Sequence, residues 1–374
     1  MRIINGSVFV GEGFVERDVF VAEGRFVGEA ARAEGGQTVD AAGCYVIPGL
    51  VDLHFHGSAG ADISDGDLAG LHRMGAYEAS RGVTAMCPAT MTLPEDVLMR
   101  AAQAAAAYEP AADEAALVGI NMEGPFISPS KVGAQNPDYV RNPSAEEFRR
   151  LQEAAGGLFK LVDIAPEEPG AEEFIREMAN EVRISLAHTC TDYDTAARAF
   201  ELGARQLTHL YNAMDPMHHR KPGPIPAAVE HGEVTAEIIA DGVHIHPAMV
   251  RLAFQLFGDN RMILISDTLR AAGLEDGTYD LGGQDVTVRG PVATIDNGAL
   301  AGSVSDLMRC LTVAVRDMGI PLDAAVRAAS ANPARALGLE GERGSIEVGK
   351  IADAVVLDEN LRVRHVILRG ELLG

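Results

Sequence analysis

The feature that most constrains this chain is an eightfold alternation of short apolar runs and amphipathic stretches. Apolar runs suited to buried parallel strands occupy Leu50 to Phe55, Val83 to Cys87, Leu117 to Met122 and Phe159 to Ile164. Four more follow, at Val182 to Ala187, Arg205 to Leu210, Val234 to Ala240 and Arg261 to Ser266. Between most of them lie segments with helical periodicity, such as Glu95 to Tyr108, Ala145 to Ala155, Ala171 to Asn180 and Asp192 to Leu202. Strand and helix alternating eight times predict an α/β fold of the (β/α)8 TIM-like barrel kind. A doubly wound open sheet shares the alternation, but no GxGxxG or GxxxxGK[ST] follows any strand, which removes the support for its nucleotide-binding versions.

The two ends read differently. Short β-prone pieces at Ile3 to Val10, Asp18 to Val21, Arg25 to Val27 and Cys44 to Ile47 are separated by glycines, and the C-terminal end repeats the style at Gly344 to Gly349, Ala354 to Leu357 and Val363 to Leu368. Neither end has enough strands to be stable alone. The expectation is one small β-sandwich domain built from residues 1–48 and 341–374, with a catalytic barrel at 49–340 inserted into it.

Composition narrows the partners. Hydrophobic residues make up 47% and charged residues 23%, which suits a chain that buries a large core and excludes disorder. The formal charge of −23 repels nucleic acid and anionic membranes, so neither is expected as a partner. The sequence offers no apolar span and no signal-peptide stretch at its start, giving a cytoplasmic expectation. Cys44, Cys87, Cys190 and Cys310 lie far apart with no CxxC pair, which argues against disulfides and a thiolate metal site.

The polar residues fall at one place in this pattern. His54 and His56 end the first run, and side chains two apart on a strand share a face, so both imidazoles can converge on one ion. Glu123 follows the third run, His188 ends the fifth, His209 the sixth and Asp267 the eighth. A lone histidine at a strand end is ordinarily structural. Six ligand-type residues at the carboxyl ends of barrel strands, where barrel active sites are built, point to a metal centre. Imidazole and carboxylate without thiolate suit Zn²⁺, with Fe²⁺, Mn²⁺ or Co²⁺ also admissible. Four histidines and a carboxylate exceed the three protein ligands of a one-ion catalytic zinc site, so one or two ions are expected, Glu123 being shared if there are two. Asp267 beside them suits a general base and acid, and the chemistry is metal-assisted hydrolysis.

These residues, in this order, resemble the amidohydrolase superfamily of metal-dependent hydrolase barrels and, within it, the N-acetylglucosamine-6-phosphate deacetylase family. The stretches that carry the resemblance are Pro48 to Gly57, Met122 to Phe126, Ala187 to Thr189, Thr208 to Met214, Ala240 to His244, Ile265 to Asp267 and Leu300 to Ser303. They are spread over essentially the whole chain. The resemblance implies hydrolysis of N-acetyl-D-glucosamine 6-phosphate to D-glucosamine 6-phosphate and acetate. It implies that Glu123, His188 and His209 hold the main ion, that His54 and His56 form a second position, and that Asp267 is the base and acid. It further implies a phosphate grip by Asn212, Ala213 and Arg220, with Arg220 reaching in from the second subunit of a homodimer. His244 matches a substrate-contacting histidine, Leu300, Ala301 and Gly302 a loop against the sugar, and Ala134 and Gln135 a further substrate-facing segment. Arg220 lies in the densest basic stretch, His218 to Lys221, which by itself reads as a solvated loop; beside the metal rim it supplies local positive field.

The chain departs from the family at two places. Gln135 stands where several members carry a histidine thought to polarise the acetyl carbonyl; it can donate a hydrogen bond but no full charge. Thr268-Leu269-Arg270 follows Asp267 where smaller residues are common. The rival readings are an amidohydrolase for another N-acyl or cyclic amide, a preference for N-acetylgalactosamine 6-phosphate, and a non-catalytic scaffold on the same fold.

Overall fold

The computed structural model describes residues 1–29 and 36–374; the part of the expected terminal unit at 30–35 lies outside the described residues. Eight parallel strands follow one another in chain order: Leu50–Asp52, Val83–Met86, Ile120–Met122, Phe159–Ile164, Arg183–Leu186, Gln206–Leu207, Thr235–Ile239 and Met262–Ile265. From the third onward each pairs with the next, and the first pairs with the second. Two short pieces carry the ladder from the second strand to the third: Ala116–Leu117 pairs with Val83–Met86, and Ala89–Thr90 with Ile120–Met122. The eighth strand meets the first just beyond their ends, where Asp267 N donates to His54 O (2.9 Å) and His56 N to Thr268 O (2.7 Å). The TIM-like barrel expected from the alternation is therefore present, and its closing seam, between the eighth strand and the first, runs through His54, His56 and Asp267.

The four helices read from periodicity form at Glu95–Ala106, Ala145–Ala154, Ala171–Met178 and Tyr193–Leu202. Two are started by side-chain caps: Ser144 accepts from Glu147 N and Asp192 from Thr195 N. Their apolar faces seat on the barrel through aromatic rings. Phe148 lies 6.0 Å from Phe159 of the fourth strand and 6.1 Å from Phe174 of the next helix, and Phe174 lies 5.5 Å from Phe126, measured between centroids. Such offset and edge-on pairs add to the area they bury.

Strands from both ends of the chain share one eight-stranded sheet. Its order is Glu371–Leu372, Val363–Leu368, Ala354–Leu357, Tyr45–Pro48, Arg2–Phe9, Phe14–Ala22 and Arg25–Val27, with Thr38–Asp40 also pairing Arg2–Phe9. The join between the two ends is antiparallel, Val355 opposite Ile47 and Val356 opposite Val46. The sheet folds back on itself: Phe26 N donates to Lys350 O and Ala352 N to Gly24 O, enclosing Val8, Phe26, Val46, Ile346 and Val356. Residues 344–349 form no strand, contrary to the expectation; the segment is a turn in which Ile346 is buried while Val348 is 73% exposed. Its glycines bracket a tight reversal that puts only one apolar side chain in the core.

A further element was not foreseen. Gly277–Leu281, Gln284–Arg289 and Val292–Ile295 form a three-stranded antiparallel meander between the eighth barrel strand and helix Leu307–Arg316. Gly282 and Gly283, both at positive φ (60° and 84°), make its first reversal, the two-residue hairpin geometry that side chains resist. The meander leans over the barrel mouth, where Gln284 Nε2 donates to Ala134 O (2.6 Å).

Candidate active site

The barrel brings all six ligand-type residues to one point. His188 Nε2 and His209 Nε2 lie 3.1 and 3.0 Å from Glu123 Oε1, and 3.1 Å from each other. His56 Nε2 lies 3.1 Å from Glu123 Oε2 and 3.4 Å from Asp267 Oδ1. His54 Nε2, deepest of the set, lies 3.5 Å from Glu123 Oε1 and 3.9 Å from Asp267 Oδ1. Two ligand triads result, Glu123/His188/His209 and His54/His56/Asp267, each with donor atoms within 4.8 Å of one another. Glu123 stands between them, with Oε1 toward His188, His209 and His54 and Oε2 toward His56.

Backbone strain aims three of these side chains. His188, His209 and Asp267 have φ of 44°, 28° and 51°, a region that non-glycine residues rarely occupy. Each sits just past the end of its strand, where this turn swings the side chain inward over the barrel axis instead of continuing the alternation. Such conformations cost ~1–3 kcal/mol each and persist where the surroundings over-determine them. Ser303 N donating to Asp267 O (2.7 Å) is part of that support, and Gly302, at φ 60°, allows it: a Cβ there would stand 2.9 Å from Asp267 O.

The hydrogen bonds behind the rings decide what the cluster can hold. His188 Nδ1 faces Lys131 O (2.7 Å) and His56 Nδ1 faces Ala89 O (3.0 Å). A carbonyl only accepts, so both Nδ1 atoms carry hydrogen and a neutral ring leaves Nε2 as a bare lone pair. Those lone pairs converge on carboxylate oxygens. Buried His54 Nε2 has no hydrogen-bond partner. Lone pairs facing carboxylate oxygens in a buried site call for positive charge between them, either protons on the rings or a cation, and the donor set fits a divalent metal ion.

The electrostatics agree. Burial lowers the His54 pKa, but Glu237 and Glu123 raise it further and leave it well above the usual value. His56 is pushed up to about 10: burial opposes this, while hydrogen bonds to Asp267 and Glu123 prevail. Burial alone would raise Glu123 and Asp267, yet the histidines hold both below the ordinary carboxylate range. Four buried rings and two buried carboxylates thus make a site that favours positive charge at its centre.

Above the cluster opens a cavity of ≈ 280 Å³. Of the residues singled out for substrate, Ala134, Gln135, Asn212, Ala213, His244, Leu300 and Gly302 line it, together with Glu123, His56, His188, His209 and Asp267. Ala301 is buried behind the wall, donating its N–H to Ala293 O. Arg220 does not line the cavity; it is exposed, its Nη1 2.7 Å from His219 Nε2. His244 is oriented by Asp241, whose Oδ2 lies 2.8 Å from His244 Nδ1, and that pairing outweighs burial to raise the His244 pKa. Gln135 is buried, with Nε2 donating to Glu123 Oε2 (2.7 Å) and Oε1 accepting from Thr92 N (2.6 Å), so its amide steadies the shared carboxylate. Arg270 pairs with Asp65 (2.8 Å) beneath the meander and is absent from the cavity wall.

Several contributors were missed from sequence. Met91 and Leu281 add apolar wall. Asp163 and Glu237, both wholly buried, lie under the cluster, and Asp163 can join His54 and Glu123 in a third close triad. The signal was available: an acid in the middle of an apolar strand, as in Leu161-Val162-Asp163-Ile164 and Ala236-Glu237-Ile238, has to be compensated inside the barrel.

Comparison with known proteins gives a consistent result. The sequence profile of the amidohydrolase family matches residues 45–373. The N-acetylglucosamine-6-phosphate deacetylase of Bacillus subtilis is 39% identical over 332 residues, covering 87% of this chain and 84% of its own length. The N-acetylgalactosamine-6-phosphate deacetylase of Escherichia coli O157:H7 is 34% identical, with 87% of each chain covered. Among solved structures, a mutant N-acetyl-D-glucosamine-6-phosphate deacetylase from Mycobacterium smegmatis, in complex with N-acetyl-D-glucosamine-6-phosphate, superposes with a TM-score of 0.92 at 35% identity, over 100% of this chain and 99% of that one. With a metal-binding cluster at its barrel mouth and these relatives along its full length, the chain belongs to the amidohydrolase family, in the branch of the N-acetylglucosamine-6-phosphate deacetylases.

Proposed function

We propose that this protein hydrolyses the acetamide of N-acetyl-D-glucosamine 6-phosphate, giving D-glucosamine 6-phosphate and acetate in amino-sugar metabolism. The observation that carries the reading is Glu123 standing between two ligand triads on the floor of an open cavity, with Asp267 facing the same point. Glu123, His188 and His209 would hold the main ion and His54 and His56 a second. Zinc is the first choice for these donors, with iron, manganese or cobalt also admissible. A divalent ion held there supplies a Lewis acid that polarises a carbonyl and acidifies water at neutral pH. Asp267, kept ionised by the histidines, takes the proton of the attacking water and returns it to the departing nitrogen. His244, anchored on Asp241, presents Nε2 to the sugar. Gln135 acts through Glu123, which leaves carbonyl activation to the ion centre.

Among the described residues no lysine or arginine lines the cavity, so the substrate phosphate would meet Asn212, the Ala213 backbone and a cation from outside. We assign that cation to Arg220 of a second subunit in a homodimer. The division into a barrel at 49–340 and a small unit from 1–48 and 341–374 belongs to the same proposal, as does a cytoplasmic location; among the described residues no helix is long and apolar enough to cross a membrane.

An amine-release assay tests the reading. The expected result is turnover of N-acetylglucosamine 6-phosphate and little or none of unphosphorylated N-acetylglucosamine. Equal turnover of both, or activity confined to cyclic amides, contradicts it. The galactosamine epimer belongs in the same panel, given the 34% identical relative that bears that name.

A further inference from the structure

Beneath the cluster a line of hydrogen bonds crosses the barrel interior. Arg183 Nε donates to Gln206 Oε1 (2.8 Å), Gln206 Nε2 donates to Glu237 Oε1 (2.5 Å), and Glu237 Oε2 lies 2.9 Å from His54 Nδ1. The direction of this line is fixed from its far end. A guanidinium only donates, so the Gln206 atom facing Arg183 is the carbonyl oxygen and the atom facing Glu237 is the amide nitrogen. Glu237 Oε1 therefore accepts. Oε2 already accepts from His209 N (3.3 Å), so His54 Nδ1 is a donor, and in the neutral ring that an ion requires His54 Nε2 is bare toward Glu123 and Asp267. Glu237 and His54 are both 0% exposed, so water cannot relax the arrangement.

We infer that Glu237, oriented by Arg183 through Gln206, is a positioning residue that sets the tautomer of His54 and thereby creates the second ion position. The inference rests on the proposed function only in treating the cluster as an ion centre; it does not depend on the sugar. Glu237 touches neither cavity nor substrate and acts through His54. A ring in the opposite tautomer would point Nε2–H at the centre, and the His54/His56/Asp267 triad would lose a ligand while Glu123, His188 and His209 kept theirs.

Glu237→Gln tests this while preserving shape. Gln206 cannot turn over because Arg183 holds its oxygen. The amide introduced by the substitution is therefore expected to offer its oxygen to Gln206, the nearer fixed donor at 2.5 Å, and its NH₂ to His54, reversing the ring at the cost of the longer contact to His209 N at 3.3 Å. In zinc titrations followed by elemental analysis, the wild type is expected to take two ions per subunit. In Glu237→Gln the weaker ion should lose at least about tenfold in affinity, the scale known for outer partners of metal-bound histidine, with the tighter ion unchanged. Long-range ¹H–¹⁵N spectra of zinc-loaded, ¹⁵N-histidine-labelled protein should show His54 protonated at Nδ1 in the wild type and at Nε2 in the variant. Adding Arg183→Met frees Gln206 to turn and should restore the second ion in part; if that double variant does not fold, the spectra decide. Two ions of unchanged affinity in Glu237→Gln, an unchanged His54 tautomer, or a wild type that takes only one ion overturns the inference. Two ions without deacetylation in the wild type would instead defeat the proposed function and leave this inference standing.

Discussion

At the scale of single residues, the site depends on a few side chains held in unfavourable backbone geometry and compensated by one another. Asp267 combines both: its φ is 51°, burial would raise its pKa, and the histidines hold it down. Asp267→Asn removes the proton acceptor at nearly constant shape. It should lower kcat by roughly 10²–10⁴-fold, the usual contribution of a general acid–base group, while leaving the content of the Glu123/His188/His209 ion unchanged. Stopped assays with elemental analysis check both halves. The histidines also predict a pH dependence of stability. His56 has an ordinary value of 6.5 and is raised to about 10 in the ion-free fold. Its contribution is thus fully present below 6.5 and is lost as pH rises through about 10. Glu123 and Asp267 are lowered, so their contributions are present above their ordinary values near about 4 and are lost in acid. Chelator-stripped protein should melt at progressively lower temperature from about pH 7 to about 10. Ion-loaded protein should lack that decline and lose its ions on acidification instead, because ligation requires neutral rings. The six ligand-type residues were legible because each closes an apolar run. Glu237 and Asp163 escaped because they sit inside such runs and face the barrel interior, where strand-end logic does not look.

At the scale of elements, the barrel was the legible part. Buried parallel strands have to be apolar throughout, and all eight runs became strands within a few residues of the expected limits. The meander at 277–295 was passed over although it alternates apolar and polar positions around Gly282-Gly283 and Gly290-Pro291; it follows the eighth strand, where the barrel count was already complete. It matters for the site. Leu281 joins the cavity wall, and Gln284 ties the hairpin to the carbonyl of Ala134, next to Gln135. A neutral hydrogen bond of this kind is worth about 0.5–1.5 kcal/mol, or roughly 2–10-fold in an equilibrium. Gln284→Ala should therefore raise KM by that factor with little change in melting temperature, since the meander's own ladder is untouched. A drop in kcat with unchanged KM would remove the latch from substrate binding.

At the scale of the whole molecule, the sheet formed from both chain ends was expected from the β-prone style of the termini. The turn at 344–349, and the short strands Thr38–Asp40 and Glu371–Leu372, depend on long-range pairing that no local pattern reports. The charge balance poses a larger problem: a −23 surface must admit an anionic sugar phosphate, and among the described residues no lysine or arginine lines the cavity. The proposed donation of Arg220 between subunits would resolve it and predicts complementation. Arg220→Ala and Asp267→Asn should each be nearly inactive alone. When mixed and allowed to exchange subunits, they should recover activity toward about one quarter of the wild-type level, since half the dimers are hybrids with one intact site of two. No recovery despite demonstrated exchange would place Arg220 in its own subunit's site or outside catalysis.

The central claim is that groups from five barrel strands act together only around a divalent ion. Its most direct test is deacetylation of N-acetylglucosamine 6-phosphate measured against ion occupancy, as chelator-stripped protein is reloaded with zinc. Activity should be absent in the stripped protein and rise in step with occupancy; full turnover by protein shown to hold no metal would contradict the account.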